Sequence, residues 1–274
     1  MKDPTLSEIR ACHAWKKEYE RYLPVSRFLF RPISFLITWM AIRMGLTSEA
    51  VSWLSSIIGL AGCFLLVIGK SHYLPMGIGF LFLFNLLDCV DGSIARTMKT
   101  ENPYGRFLDS ICGGVVDLVF WGVIGLMTFH HPFLLLWPDA FGNGALFWLL
   151  LGWATSYLYI YLGYMERTFD ELLRSNWERM EASEDEKATR SMAKEKEIKS
   201  GEGASQWVRL LNNNLRVRET HYVLLLFAFL FRVIDLLLLS YFFYYIAYDI
   251  ALVIAYSRRG RMIKEHTSFI ERMQ

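Results

Sequence analysis

The chain alternates long apolar stretches with short charged connections over most of its length. A helix needs about 20 residues to cross roughly 30 Å of hydrocarbon, and the apolar stretches provide six segments near that length. The last apolar run is barely long enough for two crossings, so its central polar residues are the predicted turn. The predicted spans are Glu49 to Gly69, Tyr73 to Met98, Gly105 to Phe129, Ala145 to Met165, and two within Tyr222 to Tyr256 that turn at Arg232 to Asp235.

A segment ahead of the first span mixes apolar residues with arginines. Arg27, Arg31 and Arg43 interrupt the run PVSRFLFRPISFLITWMAIRMGLT. This pattern is typical of an amphipathic helix that lies along lipid headgroups rather than crossing the bilayer. The predicted fold class is therefore an all-α integral membrane protein, with six transmembrane helices preceded by an amphipathic juxtamembrane helix.

The distribution of charge divides the chain into five parts. They are residues 1–46 (a cytoplasmic segment and the juxtamembrane helix), 47–165 (spans one to four), 166–218 (a charged cytoplasmic insert), 219–257 (spans five and six) and 258–274 (a basic cytoplasmic tail). Lys and Arg concentrate outside the spans on one predicted side, so the positive-inside rule predicts that both termini and the turn after the second span face the cytoplasm. In a bacterium, the membrane would be the inner or plasma membrane.

Composition agrees with a membrane setting. Hydrophobic residues make up 54% of the 274 residues, and the mean hydropathy is +0.26, both high for a soluble domain. The net charge of +2 is too small to predict nucleic-acid binding. The four cysteines have no paired or metal-type spacing, so no disulfide framework is predicted.

The run DCVDGSIARTMKTENPYGRFLD, at positions 88–109, brings charge to the junction of the second and third spans. Asp88 and Asp91 are three residues apart on one helix face, and Asp109 lies on the next helix. Carboxylates in a bilayer are costly, so they indicate a site. Hard oxygen ligands favour Mg²⁺ or Mn²⁺, which bind phosphates through one or a few protein carboxylates. The implied substrate is a phosphate or diphosphate.

Small and basic residues surround these aspartates. Gly92 and Ala95 remove side-chain bulk and allow close approach to the backbone, and Arg96 ends the span with a fixed positive charge. Gly105 shares a helix face with Asp109, four residues later. The two antiparallel helices can therefore direct their carboxylates to one point near the cytoplasmic surface.

This arrangement resembles the CDP-alcohol phosphotransferase family, whose signature is D-x-x-D-G-x-x-A-R, eight or so residues, then G-x-x-x-D-x-x-x-D. The segment LTSEAVS, from Leu46 to Ser52, also resembles the family's opening of the first span, with Ser48 and Glu49 in place of Pro and Asn. The resemblance covers Arg31 to Phe129 well and the rest in outline. The seven matching signature residues are Asp88, Asp91, Gly92, Ala95, Arg96, Gly105 and Asp109.

The resemblance implies a transferase that moves a phosphoalcohol group from a CDP-linked donor to an acceptor alcohol and releases CMP. The three matching aspartates would hold one or two Mg²⁺ or Mn²⁺ ions on the donor diphosphate. Gly92, Gly105 and Ala95 would leave space for the cytidine nucleotide. Arg96 would bind its phosphates. The donor implied is CDP-diacylglycerol or a CDP-polyol, the acceptor is an alcohol with or without its own phosphate, and the expected assembly is a homodimer active in phospholipid or polyol-phosphate biosynthesis.

The fourth aspartate of the signature is missing, because Gly113 stands at its position. That aspartate is assigned metal ligation and the general-base role in the family. Asp117 lies one helical turn further along the same face and about 6 Å deeper in the bilayer. Asp109 and Asp117 are the candidate catalytic residues, but the enzyme could also work without a base, since positioning and charge neutralisation dominate phosphoryl transfer.

Other functions stay open on the sequence alone. A UbiA-type prenyltransferase also holds a diphosphate through Mg²⁺, and Asn85, Asp88 and Asp91 loosely resemble its first motif, although no second aspartate-rich motif follows. An inactive family member could act as a membrane scaffold, which Gly113 favours and the retained carboxylates disfavour. Lys99, Arg106, Arg216 and Arg218 are candidates for binding an anionic acceptor or lipid headgroups, and the positive-inside rule explains them as well.

Overall fold

The computed structural model describes residues 4–13, 22–68, 70–139, 144–175 and 212–273. These ranges contain helices and no strand, which confirms the all-α fold class. A π-helical turn, Ser26–Phe30, leads into the second helix. The α-helices are α1 (Leu6–Cys12), α2 (Arg31–Arg43), α3 (Ser48–Val67), α4 (Leu74–Met98), α5 (Pro103–His130), α6 (Gly144–Leu172), α7 (Arg218–Phe231) and α8 (Ile234–Met273).

Five of the described helices are long and apolar enough to cross a membrane, namely α3, α4, α5, α6 and α8. They correspond to the first four predicted spans and the last. The predicted fifth span is α7, which has 14 residues. At 1.5 Å per residue it is about 21 Å long, short of the roughly 30 Å of hydrocarbon. The count of six is therefore not confirmed, although the break after α7 falls at Arg232, inside the predicted turn.

The outward face of α3 is more apolar than its packed face. Trp53, Ile57 and Phe64 are 54–64% exposed, whereas small residues occupy the buried side. Helices in lipid associate through close packing of small residues, because lipid tails are as apolar as the large side chains. The surface is therefore that of a membrane protein. The small buried residues of α3 are Ser52, Ser55, Ser56, Gly59, Gly62 and Cys63.

The predicted juxtamembrane segment is helical. Ile33, Leu36 and Met40 of α2 are exposed, while Ser34 and Thr38 are fully buried. The buried hydroxyls donate to carbonyl oxygens of the preceding turn of the same segment, so burying them leaves no polar group unpaired. The location of α2 along the headgroups stays a prediction.

Glycines permit the closest approaches between helices. A Cβ on Gly62 of α3 would lie 3.0 Å from the carbonyl oxygen of Gly77 on α4. α5 and α6 come closer still, since a Cβ on Gly152 would lie 2.6 Å from the carbonyl oxygen of Trp121 and 2.7 Å from the Cα of Gly125. Backbone atoms cannot rotate away as a side chain can, so these contacts require glycine.

The described residues divide into two compact units. The first takes residues 4–156, apart from its undescribed gaps, together with 212–238, and it contains the candidate site. The second takes residues 157–175 and 239–273. Within it, the rings of Tyr159 and Tyr245 pack together, with their centroids 5.4 Å apart.

The five sequence-based parts are not all separate elements. α6 continues past the predicted boundary at residue 165, and α8 continues past the one at residue 257. Most of the predicted charged insert, residues 176–211, lies outside the described residues. The five-part division therefore stays a prediction.

Asp235, at the start of α8, forms hydrogen bonds with the loop after α5. The residue is fully buried, and its Oδ2 accepts hydrogen bonds from the backbone N–H groups of Leu136 and Trp137, at 2.9 and 2.8 Å. We expect Asp235→Ala to destabilise the protein by about 2 kcal/mol, because both donors lose a charged acceptor. Thermal unfolding in detergent should show a midpoint roughly 4–8 °C lower. Asp139→Ala, in an exposed turn, is the control, and equal midpoints for the two variants would contradict the assignment.

Candidate active site

The turn between α4 and α5 positions the predicted site. α4 ends at Met98, and Lys99 closes it in a left-handed conformation with φ 56°. α5 starts at Pro103, and the side chain of Asn102 accepts a hydrogen bond from the N–H of Gly105 at 2.7 Å. These caps end one helix and start the next within a short turn, so the last turn of α4 and the first turns of α5 are neighbours.

A cavity of about 480 Å³ opens at this junction. Six of the seven matching signature residues line this cavity, and Asp88 does not. Thr47, Ser48 and Glu49 also line the cavity, so the LTSEAVS segment and the signature meet in space although they are far apart in sequence. The six signature residues in the lining are Asp91, Gly92, Ala95, Arg96, Gly105 and Asp109.

Asp91 is held in a fixed orientation. It is 3% exposed, the hydroxyl of Ser52 donates to its Oδ2 at 2.6 Å, and the N–H of Gly92 donates to its Oδ1. Each carboxylate oxygen keeps a lone pair for a further partner. Sequence reasoning gave Ser52 no role, although its place at the end of LTSEAVS was an available signal.

Arg96 is oriented by the N-terminal helix. Its Nε donates to Nε2 of His13 at 3.0 Å, and Nδ1 of His13 is 2.9 Å from the carbonyl oxygen of Ile9. The ring is therefore neutral, with its proton on Nδ1. A Cβ on Gly92 would lie 3.1 Å from Nη2 of Arg96, so this glycine lets the guanidinium lie against α4. Nothing in the sequence indicated His13, which lies 83 residues before Arg96.

Gly105 leaves space for something other than protein. Among the described atoms, a Cβ at this position would contact only the side chain of Asn102. The nearest atom would be 3.6 Å away, which is an ordinary van der Waals distance. The protein itself therefore does not need a glycine here. Because Gly105 lines the cavity together with Ala95, the small residues enlarge the space available to a ligand.

Arg218, the first residue of α7, occupies the position of the missing aspartate. A Cβ on Gly113 would lie 2.8 Å from its Nη2. Its Nη1 is 3.1 Å from Oδ1 of Asp88, and its Nε is 3.4 Å from Oδ1 of Asp117. The guanidinium also lies over the ring of Phe84, 5.3 Å from its centroid. Sequence reasoning considered Arg218 for acceptor or headgroup binding but did not connect it with these two aspartates.

The predicted metal ligands do not form one group. In the part of the chain that the structure describes, no three His, Cys, Asp or Glu side chains are arranged to hold a metal ion. Asp91 and Asp109 line the cavity, whereas Asp88 pairs with Arg218. Mg²⁺ is commonly bound by one or two carboxylates together with substrate phosphates. The donor set therefore fits one divalent ion shared between these two aspartates and a diphosphate.

Other polar residues singled out by sequence have different surroundings. Arg106 lines the cavity, while Lys99 caps α4. Arg216 precedes α7 and is half-buried. Asp249 of α8 is 6% exposed, and neither carboxylate oxygen has a hydrogen-bond partner among the described residues.

Comparison with known proteins decides the family. The sequence pattern of the CDP-alcohol phosphatidyltransferases matches residues 29–168, just over half of the chain. The chain belongs to this family. The matched region of this CDP-alcohol phosphatidyltransferase includes all seven matching signature residues. It also includes Gly113 and Asp117. The resemblance is therefore confirmed, and the prenyltransferase alternative has no support.

Two curated relatives are similar to part of this CDP-alcohol phosphatidyltransferase. They are the phosphatidylinositol phosphate synthases of Mycobacterium bovis (strain BCG / Pasteur 1173P2) and Mycobacterium tuberculosis (strain ATCC 25618 / H37Rv). Each is 32% identical over 108 residues, which are 39% of this chain and 48% of the relative. The match thus spans about half the length of these relatives.

Proposed function

We propose that this protein transfers a phosphoalcohol group, in particular a phosphatidyl group, from a CDP-linked donor to an acceptor alcohol and releases CMP. The observation that carries the proposal is the cavity between α4 and α5, where Asp91, Asp109 and Arg96 meet beside residues with little side-chain bulk. Membership of the CDP-alcohol phosphatidyltransferase family supports it. The donor is CDP-diacylglycerol or a CDP-polyol, and the pathway is phospholipid or related biosynthesis.

Asp91 and Asp109 are the residues that would hold Mg²⁺ or Mn²⁺. Such an ion would supply charge neutralisation on the diphosphate while the acceptor oxygen bonds to the transferred phosphorus and the bond from that phosphorus to CMP breaks. Ser52 fixes the orientation of the Asp91 carboxylate, because its hydroxyl donates to Oδ2. Asp88 was predicted as a third ligand, but its pairing with Arg218 gives it a different role in this proposal.

The remaining residues of the cavity bind the nucleotide. The neutral ring of His13 accepts from Nε of Arg96, which leaves the terminal nitrogens of the guanidinium to approach donor phosphates. Gly92, Ala95 and Gly105 provide the space for cytidine. Bulkier side chains at these three positions would fill the cavity from the α4 and α5 sides.

We also propose the setting of this reaction. The Lys and Arg distribution favours a cytoplasmic location for both termini and for the cavity. The reacting group then lies near the lipid headgroups, where a CDP-lipid carries its diphosphate. A homodimer is proposed by analogy with the family, and the acceptor is an alcohol that could carry a phosphate, as the names of the relatives suggest.

The direct test measures CMP. Purified full-length protein in detergent would be incubated with Mg²⁺, CDP-diacylglycerol or a CDP-polyol, and acceptors that include inositol phosphate, inositol and glycerol phosphate. We expect CMP release that requires both an acceptor and the metal, and EDTA should stop it. Absence of CMP with every donor and acceptor would contradict the proposal. Pyrophosphate release from a prenyl diphosphate would instead indicate a prenyltransferase.

Asp117 has no general-base role in this proposal, because its Oδ1 faces Nε of Arg218. We expect Asp117→Asn to slow CMP release by about tenfold, the low end of the loss for a residue that orients another, and to leave the pH profile unchanged. A general base typically contributes 10²–10⁴-fold, and its loss removes a limb of the profile. A loss of that size with an altered profile would show that Asp117 replaces the missing base after all.

A further inference from the structure

We propose that the guanidinium of Arg218 replaces both the fourth signature aspartate and a second divalent ion, so that each chain binds one divalent cation. The inference rests on the proposed function, because it concerns the ions held at the same site. Three observations support it. They are the contact of Arg218 with the space beside Gly113, the pairing of Arg218 with Asp88 and Asp117, and the position of Arg218 at the start of α7.

The first observation is steric. A Cβ on Gly113 would lie 2.8 Å from Nη2 and 3.2 Å from Nη1 of Arg218. An aspartate there would have to displace the guanidinium before its carboxylate could reach the site. Gly114 provides the contrast, since a Cβ on it would meet no described atom within 4 Å. The glycine at position 113 and the arginine at position 218 therefore form a matched pair.

The second observation is electrostatic. Asp88 and Asp117 each place a carboxylate oxygen near the guanidinium, at 3.1 and 3.4 Å. One fixed positive charge thus lies between the two carboxylates, at the place where a divalent ion shared by them would have to lie. A second ion between Asp88 and Asp117 would lie beside the guanidinium and be repelled by it. Asp91 and Asp109, which both line the cavity, would hold the single ion.

The third observation is the location of Arg218 on its helix. Arg218 opens α7, and a positive charge in the first turn opposes the helix dipole. Helix stability therefore does not explain an arginine here. The contacts with Asp88, Asp117 and the ring of Phe84 hold its side chain, which is 23% exposed. Arg218 is thus a positioning residue that keeps a permanent positive charge between Asp88 and Asp117.

The number of bound ions tests the inference without relying on activity. Mn²⁺ binding to the purified full chain, with MnCl₂ and CMP present, can be counted by electron paramagnetic resonance and calorimetry. We expect one Mn²⁺ per chain in the wild type. The double variant Gly113→Asp with Arg218→Ala restores a carboxylate and removes the guanidinium, and we expect it to bind two. Two ions in the wild type would overturn this inference and leave the proposed function standing, whereas none would overturn both.

A second pair of variants asks whether the position of the guanidinium matters. Gly113→Ala should push the guanidinium away from Asp88 and slow CMP release about tenfold, without lowering the thermal midpoint. Gly114→Ala, the neighbouring control, should match the wild type in rate and have a midpoint at or above that of the wild type. Equal rates for the two variants would overturn the positioning role, and the wild-type Mn²⁺ count decides the stoichiometry even if the double variant does not fold.

Discussion

Asp91→Asn should slow CMP release by about 10²–10³-fold, the loss typical when one preorganised charge-stabilising group is removed. Asparagine has nearly the volume of aspartate, and its amide oxygen can still accept from the hydroxyl of Ser52, 2.6 Å from Oδ2 in the wild type. The substitution therefore preserves volume, while it removes the charge and the oxygen that accepts from the N–H of Gly92. The rate would be measured with saturating donor and acceptor over a range of Mg²⁺ concentrations, because a weakened ion site should also need more Mg²⁺.

The matched control for this prediction is Asp139→Asn. Asp139 is an exposed residue in the turn after α5, so it undergoes the same chemical change outside the cavity. We expect its rate and Mg²⁺ requirement to equal those of the wild type. If Asp91→Asn also kept the wild-type rate, the cavity between α4 and α5 would not be the catalytic site.

Gly152→Leu should prevent α5 and α6 from packing. A Cβ on Gly152 already comes within 2.6 Å of the carbonyl oxygen of Trp121 and 2.7 Å of the Cα of Gly125, and leucine adds three more carbons. Both neighbours are backbone atoms, so the helices must separate to admit the side chain. We expect a loss of about 4 kcal/mol or more, beyond the usual range for a point substitution. Size-exclusion chromatography in detergent should show aggregated protein or a strongly lowered thermal midpoint.

Gly79→Leu is the control for this substitution. Gly79 lies in α4 and is exposed, and a Cβ on it would meet no described atom within 4 Å. Leucine also favours the helix over glycine. We expect a midpoint at or above that of the wild type. Similar behaviour of the two variants would show that the contact between α5 and α6 does not limit stability.

Sequence spacing was sufficient to predict which residues lie close together when those residues are on one helix or on two consecutive helices. The interval between Asp88 and Asp91 follows the helical period, and so does the interval between Gly105 and Asp109. The signature therefore predicted the junction at which the cavity is found. Apolar runs likewise predicted the first four spans and the last, because chain length and hydropathy decide a crossing.

Sequence reasoning was less successful where two elements share one apolar run. The run from Tyr222 to Tyr256 was predicted to hold two crossings with a turn at Arg232 to Asp235, but the chain forms a 14-residue helix followed by a 40-residue one. The break lies inside the predicted turn, but hydropathy alone does not determine the residue at which α7 ends. The left-handed residue Arg232 and the buried contacts of Asp235 determine it, and both depend on the rest of the fold.

The amino-acid order of this chain is enough to establish a helical membrane protein with an acidic signature, because helical period and lipid solubility are local properties. The fold alone reveals which charges neutralise one another. Asp88 meets an arginine 130 residues away, and Arg96 meets a histidine 83 residues away. No periodic pattern links residues at such separations, since helix packing brings them together. The same packing brings Arg218 against Gly113, where the family signature has a carboxylate.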